Sequence, residues 1–91
     1  MKLWTMISDY SATGEGRTVT GLITYAEDQQ NAELRWAEQE KYYIPDIVEE
    51  GVPISNQYLT FLFSAAALKF AVENEGKANI NMLSRIHYNY S

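Results

Sequence analysis

Apolar positions recur along this chain with two different periods. Near the C-terminal end the period is two. Ile80, Met82, Ile86, Tyr88 and Tyr90 fall on one side with Ser84 among them, and Asn79, Asn81, Leu83, Arg85, His87 and Asn89 fall on the other. Successive side chains of a strand point to opposite faces, so this alternation predicts a strand with one buried and one wet face. Residues 2–10, KLWTMISDY, place Trp4 and Met6 on one side and Leu3 and Ile7 on the other. Apolar side chains on both faces predict a central strand. Residues 18–23, TVTGLI, predict a second strand. Residues 42–48, YYIPDIV, predict a short one at an edge or stopping at Pro45, because proline cannot donate to a sheet ladder.

The period becomes helical in residues 57–76, QYLTFLFSAAALKFAVENEG. Phe61, Ala65, Leu68 and Val72 form one apolar stripe, and Leu59, Phe63, Ala66 and Phe70 a second. No proline interrupts the stretch. Ser55 is the expected N-cap and Gly76 the expected stop. The expectation is one long helix, apolar over more than half its circumference. Such a helix either lies deep in the fold or gives part of its surface to a second protein, and the part around Leu59, Phe63 and Phe70 is the expected uncovered patch, a possible homodimer contact. A more polar helix is predicted over residues 25–41. Thr24-Tyr25-Ala26-Glu27 fits a capping box, and Ala32 and Trp36, extended by Tyr25 and Tyr43, form a thin buried stripe. The predicted order is β-β-α-β-α-β: a single α+β domain over residues 1–91, with a sheet of about four strands and two helices packed on one face.

Composition narrows the chemistry. The chain has no cysteine, which removes disulfides, thiolate metal sites and cysteine nucleophiles and fits a reducing compartment. The N-terminal MKLWTMISDYS lacks the apolar core of a secretory signal. The apolar run in residues 57–76 is shorter than the ~20 residues of a membrane span and carries Lys69. A cytoplasmic protein without membrane contact is expected; for a phage-encoded chain this means the host cytoplasm.

Charge adds a regional feature. Glu27, Asp28, Glu33, Glu38, Glu40, Asp46, Glu49 and Glu50 are opposed only by Arg35 and Lys41 within residues 27–50. That segment stands at −6, and the rest of the chain at +1, of a total of −5. A concentrated anionic region repels phosphate backbones, so direct nucleic-acid binding is not expected, and it attracts basic partners.

Motifs for catalysis or cofactors are weak. Gly14-x-Gly16 in the loop SATGEGR lacks the third glycine of a dinucleotide fingerprint. Gly16 and Gly21 have phosphate-loop spacing, but Leu22 stands where the lysine belongs. The single histidine, His87, shares a strand face with Arg85 and Asn89 and has no nucleophile or carboxylate near it in sequence. The acidic pairs lack the alternating oxygen ligands of a calcium loop. No cofactor, metal or catalytic residue is expected. Tyrosines are the better signal. There are seven, with two tryptophans, and both residue types are favoured where one protein meets another.

The expected partner-binding residues are therefore Glu27, Asp28, Glu33, Glu38, Glu40, Tyr42, Tyr43, Asp46, Glu49 and Glu50, presented to a protein with a basic surface. In size, acidity and lack of cysteine the chain resembles the inhibitors that phages and mobile elements deploy against host nucleases, such as anti-CRISPR and anti-restriction proteins, some of which imitate the charge of DNA. The resemblance implies a non-enzymatic inhibitor that occludes a nucleic-acid-binding surface of a defence protein. Two alternatives stay open: a homodimer with a ligand pocket lined by His87, Arg85 and tyrosines, capable of modest catalysis, and a phage structural or assembly accessory protein.

Overall fold

The first two strands form one long hairpin, and the remaining elements are laid on its edges and faces. The computed structural model describes residues 1–14 and 16–89. Glu15, Tyr90 of the expected last strand and the final Ser91 lie outside the described residues. β1 (Lys2–Ala12) pairs antiparallel with β2 (Gly16–Ala26), from Lys2 opposite Ala26 to Ala12 opposite Gly16. β3 (Ile47–Glu50) adds to β1, and β4 (Asn81–Tyr88) adds to β2, both antiparallel, giving the order β3-β1-β2-β4. The α+β class and the four-stranded sheet follow the alternation in the sequence. β1 is central, as its two apolar faces require. β3 is an edge strand that begins only after Pro45, where the ladder no longer meets a missing donor.

The helices are arranged differently from the expectation of two on one face. Leu3, Ile7, Val19 and Ile23 pack against Leu59, Leu62, Phe63, Leu68 and Ala71 of α2 (Gln57–Leu62), α3 (Ala65–Glu73) and the turn between them. Trp4, Met6, Leu22 and Ala26, on the opposite face, pack against Ala32 and Trp36 of α1 (Gln29–Gln39). The sheet therefore lies between helices. The reason is already present in β1: Trp4 and Met6 need a cover as much as Leu3 and Ile7 do, and one layer cannot supply both.

The long apolar stretch is also two helices rather than one. The break falls at Phe63 (φ −123°, ψ 144°) and Ser64 (φ −66°, ψ 156°), without proline or glycine. Ser64 caps α3 by accepting the Ala67 N–H at 3.1 Å. The Leu62 carbonyl, released from helical bonding, accepts the Ser84 hydroxyl of β4 at 2.8 Å. In a continuous helix Phe63 would point ~100° away from Leu62. Across the break both side chains enter the core above Gly21, where an added Cβ would lie 2.6 Å from Leu62 Cδ1 and 3.2 Å from Phe63 Cε2. The missing side chain of Gly21 is the seat of the break.

α1 starts later than residue 25. Thr24 to Ala26 stay in the ladder with β1, and the Trp4 indole N–H donates to the Ala26 carbonyl at 3.1 Å. Sheet pairing outcompetes the capping box, and Asp28 becomes the cap, its carboxylate accepting the Asn31 N–H at 2.8 Å.

Candidate protein-interaction site after the first helix

α1 delivers two anchors to the sheet, one apolar and one charged. Trp36 is buried, and its indole N–H donates to the Tyr43 carbonyl at 2.8 Å. Glu40, the C-cap, returns its N–H to the Trp36 carbonyl at 2.7 Å. The Glu40 side chain has no exposed surface. It forms an ion pair with Arg85 of β4 and accepts the Tyr42 N–H at 3.1 Å. Further along, the Tyr43 ring packs on Tyr10 with centroids 5.0 Å apart. Asp46 ties the end of the segment: its N–H donates to the Ile7 carbonyl at 2.8 Å, and its carboxylate accepts the Asp9 N–H at 2.8 Å.

The segment between α1 and β3 is thus fastened at its start, middle and end. Between the exposed Lys41 and Asp46 it displays two large apolar side chains. Tyr42 is 86% exposed and Ile44 84% exposed. Beside them runs a groove of about 430 Å³, lined by Glu33, Trp36, Lys41, Tyr43, Ile44 and Pro45.

The acidic residues expected to form one partner surface are divided by the fold. Glu40 is a correction: it is an interior ion pair, unable to meet a partner. Asp28 is a helix cap, Glu50 pairs with Lys2 at 2.9 Å, and Asp46 holds β1. Glu27, Glu33, Glu38 and Glu49 are exposed, with carboxylates that no hydrogen bond or ion pair engages among the described residues. These four do not form a single array. Glu33 borders the Tyr43 groove, whereas Glu27 and Glu38 border a cleft with Met1 and Leu34 on the other flank of α1. Positions five apart on a helix are ~140° apart, which accounts for the separation of Glu33 from Glu38. Glu49 lies opposite Thr5 and Glu50 opposite Trp4, so the two point to opposite faces of the sheet. Tyr42 is displayed as expected; Tyr43 is half-buried.

The apolar patch expected on the central helix is displaced as well. Leu59 and Phe63 are core residues, and of the three only Phe70, 50% exposed, reaches solvent. The break at Phe63 and Ser64 splits the second stripe: Leu59 and Phe63 face the core, whereas Ala66 and Phe70 face solvent. The open apolar surface lies instead in a groove of about 440 Å³ between the segment before α2 and α3, lined by Ile54, Thr60, Ala65, Leu68, Lys69 and Val72.

Of the residues expected to line a pocket between subunits, Arg85 and His87 both have partners within the chain. Arg85 is occupied by Glu40. The His87 ring nitrogens meet the Thr18 hydroxyl at 2.7 Å and Asn89 Oδ1 at 2.9 Å. No group of three or more His, Asp or Glu side chains able to hold a metal ion occurs among the described residues, and no helix there is long and apolar enough to cross a membrane.

One polar cluster had no counterpart in the sequence reading. Arg17 donates twice to Asp9, from Nε and from a terminal nitrogen, each at 2.8 Å, and the Tyr58 hydroxyl donates to the same carboxylate at 2.7 Å. The paired bonds from Arg17 hold the Asp9 carboxyl below its ordinary range; burial opposes them, and the Tyr58 bond assists. The bond to Asp9 in turn raises the Tyr58 hydroxyl above its ordinary value. The cluster straps α2 to the hairpin. Asp9 and Arg17, eight positions apart, meet only when the hairpin pairs, and Tyr58 comes from 49 positions away. No family model, no curated protein and no solved structure matches this chain.

Proposed function

We propose that this protein is a non-catalytic protein-binding module whose contact surface is the segment from Lys41 to Pro45 with Glu33 beside it. The observation that carries this reading is the outward display of Tyr42 and Ile44 from a backbone held by Glu40, Trp36 and Asp46. Single exposed apolar residues are ordinary on protein surfaces. Here two large ones, almost wholly in water, stand beside a groove on a fastened segment. A tip of this kind loses little conformational freedom on binding, and tyrosine is enriched among the residues that dominate binding energy.

The chemistry of the partner follows from charge. The chain carries −5, and Glu33 borders the groove with its carboxylate unpaired, while Glu38 on the other flank of α1 and Glu27 just before the helix add to the long-range field. Such a field favours encounter with a basic surface. In its most specific form the reading is inhibition: the partner is a nucleic-acid-binding defence protein, its Lys and Arg are engaged by these carboxylates, and Tyr42 and Ile44 fill an adjoining recess. The test is affinity capture with the wild-type chain and with Y42A/I44A as parallel baits, followed by titration of the purified partner at low and high salt. The expected result is a partner that binds wild type more weakly as salt rises, more weakly still with Glu33→Lys, and at least about tenfold more weakly with Y42A/I44A. A partner held equally by both baits would overturn the assignment of this surface.

A further inference from the structure

The two edges of the sheet are built in opposite ways. β3 is four residues long and has Pro45 before it and Pro53 after it. It bears Glu49 and Glu50, with Asp46 just outside. Short length, flanking prolines and charge are the usual means by which an edge resists pairing with another chain. β4 is neither short nor flanked by proline, and its Arg85 charge is already paired with Glu40. It runs for eight residues, NMLSRIHY, with regular alternation against β2 from Asn81 to Tyr88, and contains neither proline nor glycine. Among the described residues it makes no backbone hydrogen bond outside its pairing with β2. In a chain of net charge −5 it is also an edge without a carboxylate; its ionisable groups are Arg85, His87 and Tyr88. Two copies approaching through β3 bring glutamates together, whereas two copies approaching through β4 do not.

From these features we infer that β4 pairs antiparallel with β4 of a second copy, joining two sheets into one across a two-fold axis at Ser84. The register follows from the side chains. An axis at Arg85 would set Arg85 against itself. An axis at Leu83 would shorten the overlap to Asn81–Arg85. An axis at Ser84 overlaps Asn81 to His87 with no like charges opposed. It sets Met82 against Ile86 of the second copy on the face covered by α2 and α3. On the other face it sets Leu83, 44% exposed in the monomer, against the aliphatic stem of the second copy's Arg85. A two-fold contact of this kind is closed, so it ends at the dimer.

The test uses opposite charges at one exposed position. In the proposed register a new side chain at residue 83 faces Arg85 of the other copy twice per dimer. Sedimentation of the full chain from micromolar to millimolar concentration should show a monomer–dimer equilibrium. Leu83→Lys should shift it to monomer, and Leu83→Glu should keep or tighten the dimer, with circular dichroism showing both variants folded. Hydrogen exchange on the wild-type chain gives a reading independent of variants: amides of β4 should gain protection as concentration rises. A wild-type chain that stays monomeric at millimolar concentration, that grows into open-ended polymers, or that dimerises with Leu83→Lys unaffected would overturn the inference. Each of these results leaves the partner-binding test of Y42A/I44A unaffected.

Discussion

Replacing Arg85 by methionine tests how the displayed segment is held. The change removes the cation and keeps most of the aliphatic stem, and it leaves the Glu40 carboxylate, with no exposed surface, holding only the Tyr42 N–H. Removing one partner of a buried pair costs about 3–5 kcal/mol, because the remaining charge stays buried without compensation. The Arg85 side chain is 43% exposed, so water already screens part of the interaction, and the expected loss is nearer 2–4 kcal/mol. For a domain of this size each kcal/mol moves the melting temperature by about 4–8 °C, so a fall of at least about 8 °C is expected. Glu40→Gln retains an oxygen for the Tyr42 N–H in the same volume and should lose only about 1–2 kcal/mol. In the double variant the two losses should not add, with a coupling of about 1–3 kcal/mol. Urea unfolding at neutral pH of the wild type, both single variants and the double variant measures all of these quantities. An exposed salt bridge would contribute ~0–1 kcal/mol. If Arg85→Met lies within about 0.5 kcal/mol of wild type, the pair does not fasten the segment and the reasoning fails.

Three further outcomes follow from the fold. Gly21→Ala puts a Cβ into the space of Leu62 and Phe63 and should cost about 1–3 kcal/mol in chemical denaturation, with no loss of secondary structure at low denaturant. Ser64→Ala removes the cap of α3 and should cost about 0.5–2 kcal/mol by the same measurement. The depressed Asp9 value means that the unfolded chain takes up this proton first. The stabilisation from the Arg17 and Tyr58 strap is therefore fully present above about pH 4 and is lost as pH falls below that, through the folded-state value. Asp9→Asn should lower stability at neutral pH and flatten the acid limb of a stability–pH curve; an unchanged acid limb would contradict the strap.

What the sequence disclosed and what it concealed have the same physical source. Strand alternation is local, so β4 and the two-faced β1 could be read directly, and with them the α+β class and the central position of β1. The two-faced pattern of Trp4, Met6, Leu3 and Ile7 already required cover on both sides, which places helices on opposite faces. The break at Phe63 was not legible because its causes lie elsewhere in the chain: the space above Gly21 and the Ser84 hydroxyl that meets the Leu62 carbonyl. The capping box at Thr24 was locally correct but lost to pairing with β1. Among the candidate site residues, exposure of Tyr42 and Glu33 agreed with expectation. The burial of Glu40 depended on Arg85, 45 positions away, which no local pattern reports. The Asp9, Arg17 and Tyr58 cluster was hidden for the same reason.

The proposed binding rests on the surface formed by Tyr42 and Ile44. Truncating both to alanine removes no core contact and should leave stability within about 0.5 kcal/mol of wild type. The decisive measurement is calorimetric titration of the captured partner into wild type and into Y42A/I44A, with both proteins shown to be equally folded. Loss of at least about tenfold in affinity is the predicted result; equal affinity for the two proteins would contradict the claim.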